Sequence, residues 1–339
     1  MSDPVFVTGG SGFVGGALVD RLVADGHPVR ALARSDAAAA SVEARGAVAV
    51  RGDLGDVAAL GAGMEGSQLV FHVAGVNAMC VPDPRPMYRD NVEGADRVVI
   101  AAHEAGVRRL VHTSSAATIG EARGTIGRED SPHRGSQLSH YERSKALGER
   151  RVMARARELG LDVVCLNPSS VQGPGRTTGT ARLLLDVAKG RLPLAVDTWV
   201  SVVDIDDCVE GLLAGAERGA AGERYLLSGT SITLREAIEV ASRILPLPRP
   251  VHFVPGTAAT VAGALGDLVR TIGRRSVPIC GEAARTLLHG HRYDGSRAER
   301  DLGVRYTPFE ATLRRTLAWY AAQGLIPPLP GPPPSPEPT

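Results

Sequence analysis

Three glycines near the start of the chain constrain its fold more than any other feature. The strand-like run Val5–Thr8 passes directly into TGGSGFVGG, where Gly9, Gly12 and Gly15 are spaced three residues apart, and a helix is predicted over Gly12–Ala24. At such a junction the first glycine permits a sharp turn, the second lets the backbone approach a pyrophosphate, and the third lets the helix pack on the strand. Because the N–H groups and positive dipole end of the helix attract phosphates, the pattern predicts a dinucleotide site.

Short β-branched runs alternate with helix-length segments through the first half of the chain. Strands are predicted over Val5–Thr8, Val29–Ala33, Val48–Val50, Leu69–Val73, Leu110–Thr113 and Val163–Leu166, and helices over Gly12–Ala24, Val92–Ala105 and Ser139–Leu159. Nearly continuous apolar strands separated by helices indicate a parallel sheet that is covered on both faces. The predicted fold class is therefore α/β, a doubly wound parallel sheet of the Rossmann type.

The pattern becomes less regular after Pro168, which suggests a second, mostly helical lobe that binds substrate. We expect a dinucleotide-binding domain over residues 1–170, with segments near 200–218 returning to it, and a substrate-binding lobe over 171–326. Helices are predicted over Thr177–Lys189, Asp206–Arg218 and Leu234–Ile244, with a short strand at Tyr225–Leu227. Eight of the last thirteen residues are proline, so residues 327–339 are predicted to form a disordered tail.

Composition and charge exclude several classes of protein. The chain has 38 Lys+Arg and 37 Asp+Glu, and aromatic residues make up 4%. Since nucleic-acid binders combine a basic face with stacking rings, no nucleic-acid partner is expected. The longest apolar stretch, around Val254–Leu265, is too short for the ~20 residues that span a bilayer. The first residues lack the pattern of a signal peptide, so we expect a cytoplasmic protein.

Cysteines and histidines give no sign of a metal site. The four cysteines lie far apart without a C-x-x-C pair, namely Cys80, Cys165, Cys208 and Cys280. This spacing predicts neither zinc nor a disulfide framework, and we expect four buried, reduced thiols. His72 and His112, on predicted core strands, are expected to be packed and hydrogen-bonded, and His140 to lie near the site. We therefore predict no metal-binding residues.

The end of the second strand bears on the choice of cofactor. A site for NAD usually places an acidic residue there to bind the ribose 2′-hydroxyl. This chain has Ala33 at that position and Arg34 next. Without a carboxylate a 2′-phosphate is not repelled, and a guanidinium pairs with it. NADP(H) is therefore predicted as the preferred cofactor, with NAD(H) as the alternative if Arg34 is merely solvated.

A tyrosine and a lysine four residues apart suggest acid–base chemistry. Tyr141 and Lys145 fall on one face of the predicted helix, one turn apart. A cation beside a phenol lowers a pKa that starts near 10, so we expect a lowered pKa for Tyr141. Ser115 precedes Tyr141 by 26 residues, at the end of the fifth strand, where its hydroxyl is positioned to bind a substrate oxygen. Ser114 is the alternative to Ser115.

With these motifs the sequence resembles the extended short-chain dehydrogenase/reductases. The matching segments are TGGSGFVGG, Asp53-Leu54, HVAG at 72–75, NVEG at 91–94, HTSSAATIG at 112–120, YERSK at 141–145 and NPSSVQGPG at 167–175, over roughly residues 5–215. The resemblance implies that Ser115, Tyr141 and Lys145 are catalytic, and it leaves the role of Asn91 open. The cofactor-binding residues expected from the glycine motif and the resemblance are Gly9, Gly12, Phe13, Val14, Gly15, Arg34, Asp53, Leu54, Val73, Ala74, Gly75, Thr113, Tyr141, Lys145, Pro168, Ser169 and Ser170.

Departures from the family pattern narrow the expected reaction. Ala116 and Ala117 replace the acidic pair of sugar-nucleotide dehydratases, and Ile119 replaces the tyrosine that is common in sugar epimerases. Asn167-Pro168 and Arg34 look more like the dihydroflavonol-reductase-like branch. The resemblance thus implies an NADP(H)-dependent oxidoreductase that acts on a ketone, an aldehyde or a secondary alcohol. The alternatives are an NAD-retaining sugar-nucleotide epimerase and a non-catalytic dinucleotide-sensing regulator, and the resemblance makes a homodimer an open expectation.

Overall fold

A computed structural model describes residues 4–273 and 275–330 of the chain. The strands are β1 Val5–Thr8, β2 Val29–Ala33, β3 Val48–Arg51, β4 Leu69–His72, β5 Arg109–Thr113, β6 Asp162–Pro168, β7 Ser170–Gln172, β8 Leu194–Ala195, β9 Trp199–Asp204, β10 Arg224–Leu227, β11 Thr230–Thr233 and β12 His252–Phe253. The α-helices are α1 Phe13–Ala24, α2 Asp36–Glu43, α3 Val57–Met64, α4 Arg85–Tyr88, α5 Ala95–Glu104, α6 His140–Leu159, α7 Thr180–Ala188, α8 Ile205–Arg218, α9 Leu234–Ile244, α10 Gly256–Gly273, α11 Gly281–His289, α12 Ser296–Leu302 and α13 Phe309–Ala322.

The main sheet has seven strands in the order β10-β6-β5-β4-β1-β2-β3, and every neighbouring pair is parallel. Side chains of one strand alternate between its two faces, so Val5 and Val7 join one apolar cluster and Phe6 joins the other. The first cluster includes residues of α1, α8 and α12, and the second includes residues of α3, α5 and α6. The predicted doubly wound α/β sheet is therefore confirmed.

The central strand β1 marks the point where the strand order reverses. It pairs with β2 on one side and with β4 on the other. The loops that follow β1 and β4 therefore leave the sheet in a crevice at its carboxyl edge, which is where ligands bind in sheets of this type. The glycine loop and the predicted Val73–Gly75 segment meet in this crevice.

The second half of the chain completes the sheet and adds a smaller, mostly helical region. Strand β10 pairs with β6 at one edge, with Tyr225 opposite Leu166. A three-stranded sheet, β11-β9-β7, and the pair β12-β8 accompany helices α7, α9, α10, α11 and α13. Leu185, Ile244 and Leu317 belong to a separate apolar cluster of this region. Thus the helical C-terminal region is also as predicted.

The expectation of four reduced thiols is wrong for one pair. Cys80, after β4, and Cys280, before α11, form a disulfide with their Cα atoms 5.6 Å apart, whereas Cys165 and Cys208 are free and buried. The two bonded cysteines are 200 residues apart in sequence. Only the packing of the C-terminal region on the crevice brings them together, so spacing carried no signal of the bond.

Two further expectations concern the membrane and the tail. No helix within the described ranges combines the length and the apolar character that crossing a bilayer requires. Most of the predicted disordered tail, from residue 331 onward, lies outside the described residues.

Candidate active site

The glycine loop is closed tightly on itself and on the segment after β4. Gly9 has φ +78°, and the N–H of Gly12 donates to the Gly9 carbonyl over 2.9 Å. A Cβ on Gly9 would lie 2.7 Å from the Ala74 nitrogen, and one on Gly15 would overlap the Gly9 carbonyl. Only glycine fits at these two positions, so the backbone forms a narrow cradle.

The first turn of α1 leaves backbone donors available above this cradle. Gly12 is the N-cap with φ −84° and ψ 178°, and no side chain caps the turn. The N–H groups of Phe13 and Val14 therefore have no partner within the helix. Backbone donors at a helix N-terminus and a loop without side chains suit a diphosphate. These residues thus fit the nicotinamide dinucleotide that their pattern predicts.

The segment after β4 connects the glycine loop to the proposed reaction centre. The Val73 N–H donates to the Thr8 carbonyl and the Ala74 N–H to the Thr8 hydroxyl, each over 3.2 Å. A Cβ on Gly75 would lie 3.1 Å from Asn91 Oδ1 and 3.6 Å from Lys145 Nζ. The structure therefore brings Val73, Ala74 and Gly75 between the phosphate cradle and the lysine.

The buried histidines beside this segment are core residues. The His72 Nδ1 and the Thr8 hydroxyl are hydrogen-bonded over 2.7 Å, and the His72 ring stacks on His112 with centroids 5.2 Å apart. Burial, with the charge of Lys145, lowers the pKa of His72 to about 3. Both rings are packed as predicted, although the Nδ1 of His112 has no partner among the described residues.

The edge of the crevice at the ends of β2 and β3 carries two arginines, Arg34 and Arg51. Arg34 is exposed, and its side chain makes no ion pair or hydrogen bond with another described residue. Ala33 is paired across the sheet with Arg51, whose guanidinium lies 2.8 Å from Asp36. Arg51 was missed because the sequence does not indicate which residue lies beside Ala33.

Two predicted adenine contacts lie in the loop after β3. The carboxylate of Asp53 accepts the Gly55 N–H over 2.7 Å, and the Leu54 side chain lies against Gly94. Asp53 is exposed and Leu54 is half-buried. The loop between β3 and α3 thus presents both residues at the carboxyl edge of the sheet, beside β2 and its Arg34.

The predicted serine and tyrosine meet at the opposite end of the crevice. Ser139 caps α6 by accepting the Glu142 N–H over 3.1 Å, so the helix starts at His140, one residue before Tyr141. Burial raises the pKa of Tyr141 above its ordinary value, and this effect outweighs the lowering by the nearby Ser115 hydroxyl and by the charge of Arg176. The phenol is therefore held as a proton donor.

The expected lowering of the tyrosine pKa by Lys145 is wrong. The Lys145 Nζ donates to the Thr113 carbonyl over 2.9 Å, and the lysine is not among the groups that shift Tyr141. Burial lowers the pKa of Lys145 to about 8. The four-residue spacing brings both residues to one side of α6, but it does not direct the amine at the phenol.

The hydrogen bonds around the two adjacent serines show which of them is available to a substrate, Ser115 or Ser114. Ser114 donates to Glu149, which also accepts from Asn167 over 2.7 Å and from Thr118 over 2.7 Å. The Ser114 hydroxyl is therefore engaged in this buried network, whereas Ser115 lies beside Tyr141. Glu149 was missed because a carboxylate two turns into a helix gives no sign of burial.

The remaining predicted contacts follow β6. Pro168 ends β6 and is paired with Leu227. The Ser169 hydroxyl and that of Thr113 are buried without a hydrogen-bond partner among the described residues. The Ser170 hydroxyl bonds that of Thr180 over 2.7 Å. Two unpartnered hydroxyls at the carboxyl edge are consistent with a polar ligand there.

Asn91 orders the backbone between the lysine and the cradle. Its side-chain oxygen accepts the Val76 N–H over 2.7 Å, and its nitrogen donates to the Ser144 hydroxyl over 2.9 Å. It lies in a π-helical turn, Arg89–Gly94, that joins α4 to α5. The predicted helix over Val92–Ala105 therefore begins earlier than expected, and turns of this type are frequent at functional sites.

A buried carboxylate from the C-terminal region supports the start of α6. Glu282 accepts the N–H of Cys80 and, over 2.9 Å, the N–H of His140. His140 itself bonds the Tyr88 hydroxyl through Nδ1 over 3.0 Å. Glu282 and the disulfide thus connect the C-terminal region to the residue before Tyr141.

A second buried polar cluster lies between the loop after β5 and the segment after α11. Glu121 Oε1 and His291 Nδ1 are 2.7 Å apart, and one side-chain oxygen or nitrogen atom from each of Glu121, His289 and His291 lies within 4.8 Å of the others. His291 also bonds the Tyr293 hydroxyl over 2.9 Å. Glu121 is about 170 positions from the two histidines and the tyrosine in sequence, so the sequence carried no sign that they meet.

Comparison with known proteins places this geometry in a family. The profile of the NAD dependent epimerase/dehydratase family matches residues 5–228. The putative dihydroflavonol 4-reductase of Synechocystis is 32% identical over 96% of this chain and 97% of its own length. The 2-alkyl-3-oxoalkanoate reductase of Stenotrophomonas maltophilia is 32% identical over 94% of this chain and 99% of its own length.

Solved structures share the fold. The structure of gox2253 superposes with a TM-score of 0.83 at 29% identity and covers 96% of this chain and all of that one. UDP-glucose 4-epimerase of Thermotoga maritima has a TM-score of 0.77 at 19% identity, covering 94% and 99% of the two chains. At that identity the epimerase shows the fold alone. The chain belongs to the NAD dependent epimerase/dehydratase family of extended short-chain dehydrogenase/reductases.

Proposed function

We propose that this protein is a reductase of the extended short-chain type, which uses NADP(H) to interconvert a ketone or aldehyde and the corresponding alcohol. The observation that carries the proposal is that Ser115 and the half-buried Tyr141 lie beside each other in the same crevice as the glycine cradle. Relatives named as reductases over nearly the whole chain support it. The intact pair of hydroxyls argues against a non-catalytic sensor, which has no use for a half-buried phenol.

In this proposal each residue of the trio has a separate task. Tyr141 keeps its proton at neutral pH and donates it to the substrate oxygen, and Ser115 hydrogen-bonds that oxygen. Lys145 supplies a positive charge next to the site and donates a hydrogen bond to the Thr113 carbonyl. The bound nicotinamide supplies the hydride. A positioned acid contributes about 10²–10⁴-fold to such a reaction.

The cofactor residues of the proposal are the cradle, the strand-end segments and the trio. They comprise Gly9, Gly12, Phe13, Val14, Gly15, Arg34, Asp53, Leu54, Val73, Ala74, Gly75, Thr113, Tyr141, Lys145, Pro168, Ser169 and Ser170. NADP(H) is the proposed preference because Arg34 is exposed and unpaired among the described residues, beside Ala33. Arg51 lies alongside and supplies a second cation.

The preference is tested by the Arg34→Ala variant. A charged hydrogen bond contributes about 1.5–3 kcal/mol, so NADPH should bind about 10–100-fold more weakly while NADH binding changes little. Arg182→Ala, on α7 and paired with Asp186, is the matched control. Dissociation constants from fluorescence titration decide the question, and an equal loss for both dinucleotides contradicts a role for Arg34 in selecting NADPH.

The reaction is tested by following NADPH oxidation against ketones, aldehydes and nucleotide sugars. A reductase exchanges its cofactor with free NADPH and consumes it with a ketone or an aldehyde. A sugar-nucleotide epimerase instead keeps NAD through purification and converts its substrate without net consumption. Retained NAD together with activity on a nucleotide sugar alone would overturn the reductase assignment.

Three finer expectations stay predictions. We propose that residues 1–170 bind the dinucleotide, with residues near 200–218 returning to that domain, and that 171–326 form the substrate lobe. A cytoplasmic location and a homodimer are tested by fractionation of cells and by light scattering of the purified protein.

A further inference from the structure

A carboxylate in the loop after β5 is buried beside two histidines. Glu121 follows the short turn Ala116–Ile119, which Ser115 precedes, and its side chain is 1% exposed. Within the part of the chain that the structure describes, its ion-pair partners are the imidazoles of His289 and His291 alone. A carboxylate that is removed from water requires a positive charge beside it. Glu121 therefore needs either a protonated histidine or a cation.

The neighbouring arginine does not supply this charge. Arg134 donates from Nη1 to the backbone carbonyl of Glu121 over 3.3 Å, but its Nη2 forms an ion pair with the buried carboxylate of Glu142. The positive charge of Arg134 is therefore balanced by Glu142. The negative charge of Glu121 is left to the two histidines and to whatever ion they help to bind.

The two histidines bring ring nitrogens to this carboxylate from the end of α11 and the segment after it. His291 Nδ1 lies 2.7 Å and His289 Nε2 lies 3.4 Å from Glu121 Oε1, and the centroids of the two rings are 4.8 Å apart. The Tyr293 hydroxyl lies 2.9 Å from His291 Nδ1. The cluster thus offers imidazole nitrogens, a carboxylate and a hydroxyl within the reach of one ion.

Two atoms of this cluster lack the hydrogen bonds that burial requires. Glu121 Oε2 and His289 Nε2 are inaccessible to solvent and have no hydrogen-bond partner among the described residues. The side chain of His289 is 6% exposed, so water does not reach its ring freely. Buried polar atoms are rarely left unpaired, and an unpaired one indicates a missing water or ion. A cation bound between the carboxylate and the imidazole satisfies both atoms.

We infer that Glu121, His289 and His291 bind a zinc ion, with the Tyr293 hydroxyl or a water molecule as the fourth ligand. Two imidazoles and a carboxylate are a donor set that Zn²⁺ accepts, with bonds of about 2.0–2.2 Å. Tetrahedral ligands at that range are about 3.3 Å apart. The distance of 3.4 Å between His289 and Glu121 already matches this value. The contact of 2.7 Å between His291 and Glu121 lengthens by about 0.6 Å as both atoms turn to the ion.

The zinc ion joins the loop after β5 to the segment after α11. This role is structural, and it revises the expectation of no metal-binding residues, which rested on spacing along the chain. The inference does not depend on the reductase proposal, because every measurement that tests it is made without turnover.

The test is a calorimetric titration of chelator-stripped, untagged protein with zinc chloride. The wild type should bind one equivalent. Glu121→Gln, His289→Gln and His291→Gln each remove one ligand of a four-ligand site, so each should weaken zinc binding about 100-fold or more. His103→Gln removes an exposed histidine of α5 and is the matched control, which should bind zinc as the wild type does.

A cobalt spectrum of the wild type keeps the inference testable even where a variant does not fold. Co²⁺ absorbs visible light in tetrahedral sites, and a thiolate ligand adds a separate band in the near ultraviolet. In oxidised protein, where Cys80 and Cys280 are bonded, we expect the tetrahedral absorption without the thiolate band. The inference is overturned if the wild type binds no zinc, if the thiolate band appears, or if any of the three folded variants keeps the wild-type affinity.

Discussion

The Gly9→Ala substitution tests whether the glycine cradle is built as its contacts indicate. Gly9 has φ +78°, and a Cβ there would lie 2.7 Å from the Ala74 nitrogen and 2.8 Å from its Cα. Both distances involve backbone atoms, so the collision cannot be relieved by a side-chain rotation. A Gly106→Ala variant is the matched control, because Gly106 has φ +68° and a Cβ there would meet nothing within 4 Å.

The expected loss of unfolding free energy has two contributions, the backbone strain of an alanine at positive φ and the steric collision of its Cβ. An alanine forced into the left-handed region costs about 1–2 kcal/mol, and this is the whole cost expected for Gly106→Ala. Overpacking against backbone adds about 1–3 kcal/mol, so Gly9→Ala should lose about 2–5 kcal/mol of unfolding free energy. The displaced Ala74 segment should also weaken dinucleotide binding, which the control should leave intact.

Urea unfolding monitored by circular dichroism gives the two free energies, and fluorescence titration gives the two dissociation constants for NADPH. The reasoning is refuted if the two variants lose the same unfolding free energy and bind the dinucleotide equally well. Equal values would mean that the close contact between the glycine loop and Ala74 contributes neither to the stability of the fold nor to dinucleotide binding.

Two further predictions concern titration and thiols. Since burial lowers the pKa of Lys145 to about 8, the lysine loses its charge above that pH, and the ketone kcat/KM should fall there. The Lys145→Arg variant keeps its charge at this pH and should not show the decrease in kcat/KM. An identical decrease in the variant would mean that Lys145 is not its cause. Denatured, unreduced protein should show two thiols with Ellman's reagent and four after reduction, because Cys80 and Cys280 are bonded; four thiols before reduction would refute the bond.

The sheet was predictable because its determinants are local. Val5–Thr8 and Val29–Ala33 match the strands of the structure, since short apolar β-branched runs between helices specify a buried parallel sheet. Helix α9 over Leu234–Ile244 also matches, because the capping box of Thr233 and Glu236 fixes its start. The helix before β5 was predicted less well, because Asn91 holds a π-helical turn that no propensity indicates.

The placement of the candidate site residues was predictable where spacing within one element carries the information. The four-residue interval places Tyr141 and Lys145 on one side of α6, and the glycine spacing specifies the cradle. Residue spacing could not predict which side chains from segments distant in sequence come into contact. Glu282, the Cys80–Cys280 bond and Arg176 come from segments that only tertiary packing brings to the crevice, and burial reversed the expected direction of the tyrosine pKa.

The most direct measurement of the central claim is the turnover of Tyr141→Phe on a ketone that the wild type reduces with NADPH. The variant should lose about 10²–10⁴-fold in kcat, because the positioned proton donor is removed, while its NADPH dissociation constant stays near that of the wild type. Tyr225→Phe removes a buried hydroxyl that accepts the Ala220 N–H over 3.1 Å, and it should keep full turnover. Wild-type turnover in Tyr141→Phe would contradict the account.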